Sequence, residues 1–197
     1  GSPERFPIAP LSFIAAQAGS AQITFANTDA GTNAYNSNTT DGNGTTTSSY
    51  LMLTTGWLDQ FGTTLDSYSF ETYIHELGHA LGLGHGGNYN GSATYGTDNF
   101  YLNDSQHLSI MSYMQSQHDE FADAPSFGYN TFVDAQFRWV LTPMIADILA
   151  MRNLYGLSTT TRTGNTTYGY NSNTGNAAAR SPLLTLGIPA NPVMALM

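Results

Sequence analysis

Three of the five histidines, His75, His79 and His85, fall within eleven positions, and Glu76 sits beside the first. On a helix, residues four apart face the same side, so His75 and His79 can reach one metal ion together. Glu76 then stands where it can take a proton from a water at that face. Gly82 lets the backbone leave the helix sharply, and His85 can return as a third ligand. Three neutral imidazoles suit Zn2+ and leave a coordination position open, so the chemistry is zinc-assisted hydrolysis with a carboxylate as general base. A bare H-E-x-x-H arises by chance in roughly 2% of chains this long, and requiring Gly82 and His85 as well divides that by about 400. Chance therefore does not explain the cluster.

The elements that must hold these residues are partly legible. From Ser67 to Leu83 the apolar residues Phe70, Tyr73, Ile74, Leu77, Ala80 and Leu81 recur at three and four, which predicts a helix burying that face. Ser67 or Ser69 serves as its N-cap, with Glu71 favourable in the first turn. Upstream, Ala21–Ala26 alternates as a half-buried strand, Gly31–Asn36 holds a second strand around Ala34 and Tyr35, and Tyr50–Thr54 reads as a buried strand. Asn36–Ser49 is almost wholly Asn, Thr, Ser, Asp and Gly and reads as a surface loop, with turns at Asp41-Gly42 and Asn43-Gly44. Downstream, Thr142-Pro143 opens a helix with Thr as cap and Pro at its first position. Its face is Met144, Ile145, Ile148, Leu149, Arg152 and Tyr155, and Gly156 stops it.

Between these elements, residues 86–106 and 115–140 lack regular signals, as do 1–19, which contain Pro3, Pro7 and Pro10. Residues 158–175 are Thr/Asn/Gly-rich, and the apolar end from Leu183 to Met197 is broken by Pro189 and Pro192. No internal repeat and no Gly-Gly-x-Gly-x-Asp array is found.

Composition narrows the setting. With 197 residues, 41% apolar and 12% aromatic, the chain is one folded domain, with or without tails. Every basic residue is Arg, and a net charge of −9 argues against nucleic acid or an anionic membrane as partner. The absence of Cys fits an intracellular protein or a secreted one that folds without disulfides, and the Thr/Asn/Ser/Gly polar residues suit an extracellular protein better than a cytosolic enzyme. No apolar run approaches the ~18 residues of a transmembrane helix. No signal-peptide pattern is present, and Gly1-Ser2 reads as a cloning remnant, so the natural N-terminus is expected upstream.

The second constellation is Ser109-Ile110-Met111-Ser112-Tyr113. Together with the extended histidine motif it resembles the metzincin metalloproteases, and among them the serralysin family of secreted bacterial proteases. The resemblance covers roughly residues 18–175, with 75–113 the most specific part. It implies an α+β metzincin-type catalytic domain: a twisted sheet with a mostly antiparallel edge, an active-site helix, a C-terminal helix and many loops. It implies that Met111 is the residue of a tight supporting turn beneath the zinc histidines and Tyr113 an additional ligand. In the family that tyrosine leaves the metal when substrate binds and its hydroxyl stabilises the oxyanion. Gly31-Thr32-Asn33-Ala34-Tyr35 looks like the substrate-binding edge strand, with Ala34 and Tyr35 in backbone pairing with an extended peptide. Pro143–Gly156 looks like the C-terminal catalytic helix, and Thr161–Asn173 like the junction to calcium-binding repeats.

The implied protein is a secreted zinc endopeptidase of broad specificity, a monomer acting on protein or peptide substrates, with a proteinaceous inhibitor as a further partner. Ca2+ is expected only with the family's repeat domain, and none is expected within these 197 residues. The chain also departs from the family in its short Pro-containing lead, where a helix and strands usually precede about residue 15. Residues 1–175 are therefore expected to be the catalytic domain, truncated at its N-terminal end, and 176–197 a tail of unassigned role. His107, and His118 with Asp119 and Glu120, are expected to be surface rather than ligands. The competing class is a non-catalytic module that keeps zinc for stability, against which an intact Glu76 argues, since a structural site needs no carboxylate there.

Overall fold

A computed structural model describes Leu11, Phe13, Ile14, Ala16, residues 19–114 and residues 139–157. Residues 1–10 of the lead, the 115–138 segment with His118, Asp119 and Glu120, the junction Thr161–Asn173 and the 176–197 tail lie outside the described residues. The chain divides into a unit Ile14–Leu154, which holds all of the site residues, and a second made of Gly1–Phe13 and Tyr155–Met197.

The polar stretch expected to be a loop is a hairpin. β1 (Ile23–Ala26) is followed by β2 (Ala34–Thr40) and β3 (Thr46–Leu53), so Asn36–Thr40 and Thr46–Ser49 are paired strand rather than loop. Thr and Asn side chains cover the outward positions of a half-exposed ribbon, which removes the apolar alternation that normally marks a strand. The turn falls where Asp41-Gly42-Asn43-Gly44 placed it. Asp41 Oδ1 accepts from the Asn43 and Thr45 amides at 2.8 Å each, and Gly44 has φ +82°. The sheet order is β1-β3-β2, with β1 parallel and β2 antiparallel to β3. Among the described strands, β2 is therefore an antiparallel edge.

Sequence reading missed α1 (Thr55–Phe61), which is short and carries a glycine in its first turn. Gly56 is required there, because a Cβ would meet the Gly31 carbonyl oxygen at 2.5 Å. Thr54, ahead of this helix, does not cap it. Its Oγ1 instead accepts from Asn33 N and donates to Asn33 O, tying down the entry to β2. Trp57 and Phe61 of α1 pack on Tyr68, which stacks on Trp139 at 4.4 Å.

α2 (Tyr68–Ala80) begins as expected, with Ser67 Oγ accepting from Phe70 N at 3.2 Å. Its buried side differs from the expected one. Ser69, Glu71, Thr72, His75, Glu76, Gly78 and Ala80 are buried, while Phe70, Ile74 and Leu77 are half-buried and Tyr73 is exposed. The helix lies on β2 and β3 with its polar, chemistry-bearing side sunk, and its aromatics form the margin, as in the Phe25–Tyr73 stack at 5.2 Å. The helix α3 (Ile145–Tyr155) starts two residues after Pro143, and its buried side chains are Asp147 and Met151. Ile145, Leu149 and Tyr155, assigned to its packed face, are exposed. Asp147 itself receives Met144 N at 2.7 Å, so an acidic residue reaching back replaces the expected Thr142 cap.

The buried apolar side chains come from β3 (Leu51, Met52, Leu53), α2 (Ala80), the 110–114 turn (Ile110, Met111, Met114), Tyr89 and α3 (Met151). The α+β class is as expected, realised among the described residues as a mixed three-stranded sheet with three helices.

Candidate metal centre

α2 ends in a way that brings His85 back. Leu83 N donates to Gly78 O at 2.9 Å and Gly82 N to His79 O at 3.0 Å, with Gly82 at φ +90°. This crossed pair of bonds around a left-handed residue is the Schellman closure, and glycine occupies it without steric cost. The chain reverses, and Leu83 O accepts from His79 Nδ1 at 2.9 Å.

The same pattern holds at all three imidazoles. His75 Nδ1 donates to Ile110 O at 2.8 Å and His85 Nδ1 to Tyr89 O at 2.7 Å. A carbonyl can only accept, so each ring carries its proton on Nδ1 and turns an Nε2 lone pair inward. The Nε2 atoms of His75 and His79 lie 3.2 and 3.0 Å from that of His85. Three lone pairs facing one another at that range repel unless a cation lies between them. Ligand nitrogens about 3.3 Å apart are what tetrahedral zinc with Zn–N near 2.05 Å requires. The donor set, spacing and carbonyl-fixed tautomers all fit Zn2+. Burial also favours the uncharged rings: it lowers His75 to about 4 and pushes His79 and His85 down as well.

Glu76 is buried beside His75. Burial raises its carboxyl to about 7, and the nearby Asn36 backbone N–H pulls the other way. Asn33 O accepts Thr54 N across the ladder, so period two turns Tyr35's backbone toward β3 as well and puts those of Ala34 and Asn36 on the open side. β2 is further pinned to the helix by Asn38 Nδ2, which donates to His79 O at 2.9 Å.

Met111 is 1% exposed and lies against Gly78, the residue directly before His79. Tyr113 packs its ring on His75 (5.6 Å) and His85 (4.6 Å), and its hydroxyl accepts from Gly91 N at 3.4 Å. His107 is not in the cluster.

Residues 22–131, more than half of the chain, match the profile of Peptidase M66. The chain belongs to that peptidase family. It is also similar to Serralysin B of Dickeya chrysanthemi (40% identical over 112 residues, 55% of this chain and 21% of that protein). Serralysin of Proteus mirabilis is 43% identical over 113 residues (56% and 21%), and Metallopeptidase AprA of Pseudomonas marginalis 40% over 114 (56% and 22%). The resemblance to serralysins read from the motifs is borne out, and the matched part spans about a fifth of the length of these relatives. Among the described residues no helix is long and apolar enough to cross a membrane.

Several residues of this centre escaped the sequence reading: Asn36, Tyr89, Asp104 and Asp147. Asp147 had a visible signal, an acid at helical spacing among Met144, Ile148 and Met151. The other three act through a backbone amide or through contacts between loops, which no local pattern encodes.

Proposed function

We propose that this chain carries the catalytic domain, within residues 1–175, of a secreted bacterial zinc endopeptidase of metzincin type. The observation that supports it most is the convergence of three inward Nε2 lone pairs beside a buried carboxylate. His75, His79 and His85 hold the ion, with Tyr113 as the additional ligand. When bound there, Zn2+ supplies Lewis-acid chemistry, acidifying water and polarising a carbonyl.

Glu76 takes the proton of the attacking water and later delivers it to the leaving amine. Burial favours the protonated form that the second transfer needs, and a divalent cation bound at the histidines would favour the carboxylate that the first one needs. An extended peptide adds to the open edge of β2, where Ala34 offers its backbone groups and Tyr35 its side chain. Pairing through the backbone is blind to most side chains, so specificity is broad. Tyr113 donates its hydroxyl to the carbonyl oxygen as charge develops there. Met111 keeps the helical ligands in register from below.

Hydrolysis of casein or gelatin, abolished by a chelator and restored by zinc, tests the reading. Glu76→Ala should lose that activity and keep the metal; retained turnover in this variant would sink the general-base role.

A further inference from the structure

His85 differs from the other two imidazoles because it sits on a loop with no helix to hold it. What holds it is Tyr89. The Tyr89 carbonyl receives His85 Nδ1, and the Tyr89 ring stacks on the His85 ring, centroids 4.9 Å apart and planes 19° from parallel. The same ring lies 5.0 Å from that of Tyr113, which in turn is 4.6 Å from His85, so three rings touch one another.

Tyr89 is itself anchored. Its hydroxyl donates to Asp104 Oδ2 at 2.9 Å and accepts from Gly86 N at 3.2 Å, and both Tyr89 and Asp104 are buried. The glycines beside His85 make room for the pair. A Cβ on Gly86 would lie 2.6 Å from Asp104 Oδ1, and one on Gly87 would lie 2.8 Å from the Tyr89 ring. Side chains at either position would displace the anchor.

We propose that Tyr89, fixed by Asp104, is a positioning residue that sets the plane of the third imidazole and the resting place of the Tyr113 ring. The inference rests on the zinc-centre reading above. A ligand on a loop loses affinity when its ring is free to swing, because that freedom must be given up on binding metal. The Tyr89–Asp104 bond removes the freedom in advance.

Zinc affinity of the full 197-residue chain, measured by competition with a chelator, tests this without reference to turnover. Tyr89→Phe keeps the ring and the carbonyl and loses only the anchor. It should weaken zinc binding on the order of tenfold. The visible spectrum of the Co2+-loaded protein, which reads ligand geometry, should shift with it. Asp104→Ala breaks the Tyr89–Asp104 bond and should show most of that loss, and the double variant should be no weaker than Tyr89→Phe, since the two changes share that bond. Asp104→Asn keeps an acceptor oxygen and should recover most of the affinity. Wild-type affinity and an unshifted Co2+ spectrum in Tyr89→Phe overturn the inference, even if its melting temperature falls. A wild-type chain that binds no zinc overturns the metal centre, and the inference with it.

Discussion

Asp147 holds Ile110. Its Oδ2 accepts the Ile110 N–H at 2.9 Å, and the carbonyl of the same residue accepts His75 Nδ1 at 2.8 Å. A carboxylate on α3 thereby fixes the turn that fixes an imidazole on α2. Asp147 is 2% exposed and also receives Ser109 Oγ at 2.6 Å and Met144 N at 2.7 Å. Three donors satisfy a buried acid with no cation among these contacts, which is the condition under which such a group is tolerated.

Asp147→Ala strands those donors. Each orphaned buried donor costs about 1–3 kcal/mol, and partial relaxation brings the expected total to roughly 3 kcal/mol. Urea unfolding should show a lower midpoint with an unchanged slope. Zinc affinity should fall too, since Ile110 O would no longer be held against His75.

Gly78→Ala sets two effects against each other. Ala favours a helix interior by about 1 kcal/mol over Gly. The added methyl, however, would collide with the Met111 sulfur. Met111 is 1% exposed and belongs to the turn that Asp147 pins, so it has little room to give. Overpacking of this kind costs about 1–3 kcal/mol, and the variant should be net less stable. A raised melting temperature would show that Met111 swings aside.

Glu71 should make stability depend on pH. It is buried one turn before His75, accepts Gln106 Nε2 and Val140 N at 2.7 Å each, and burial lifts it from 4.5 to about 7 against those two bonds. The folded protein thus holds this proton more tightly than the unfolded chain. Its contribution is fully present below about 4.5 and is lost as pH rises through about 7. Glu71→Gln can still accept from Val140 while Gln106 turns its amide to match. The wild-type stability minus that of Glu71→Gln should fall across this window and level off above it. A flat difference in denaturant titrations at pH 4, 5.5 and 8 would contradict it.

Tyr113→Phe should lower the rate on the order of a hundredfold, the scale for losing one oxyanion donor, while zinc remains bound. The measurement is kcat together with metal content. An unchanged kcat would leave Tyr113 as a packing residue against His85 and Tyr89.

The local code was enough for the histidines, Glu76, the α2 cap at Ser67 and the reversal at Gly82. Helix period, capping chemistry and glycine's freedom at positive φ act between residues a few positions apart, so the sequence carries them openly. Residues 36–49 show where that code ends. Their Thr and Asn side chains give no alternation, and only pairing with β3 made β2 a strand with an open edge and an outward Asn36 amide. Which side of α2 and α3 is buried was likewise settled by what lies against them, because Glu71 and Asp147 become core residues only when distant donors satisfy their carboxylates. Sequence alone picked out the three histidines that converge and the carboxylate beside them. Tertiary structure decided the carbonyl that orients each imidazole, since those partners come from Ile110, Leu83 and Tyr89, and a backbone oxygen has no residue type to read.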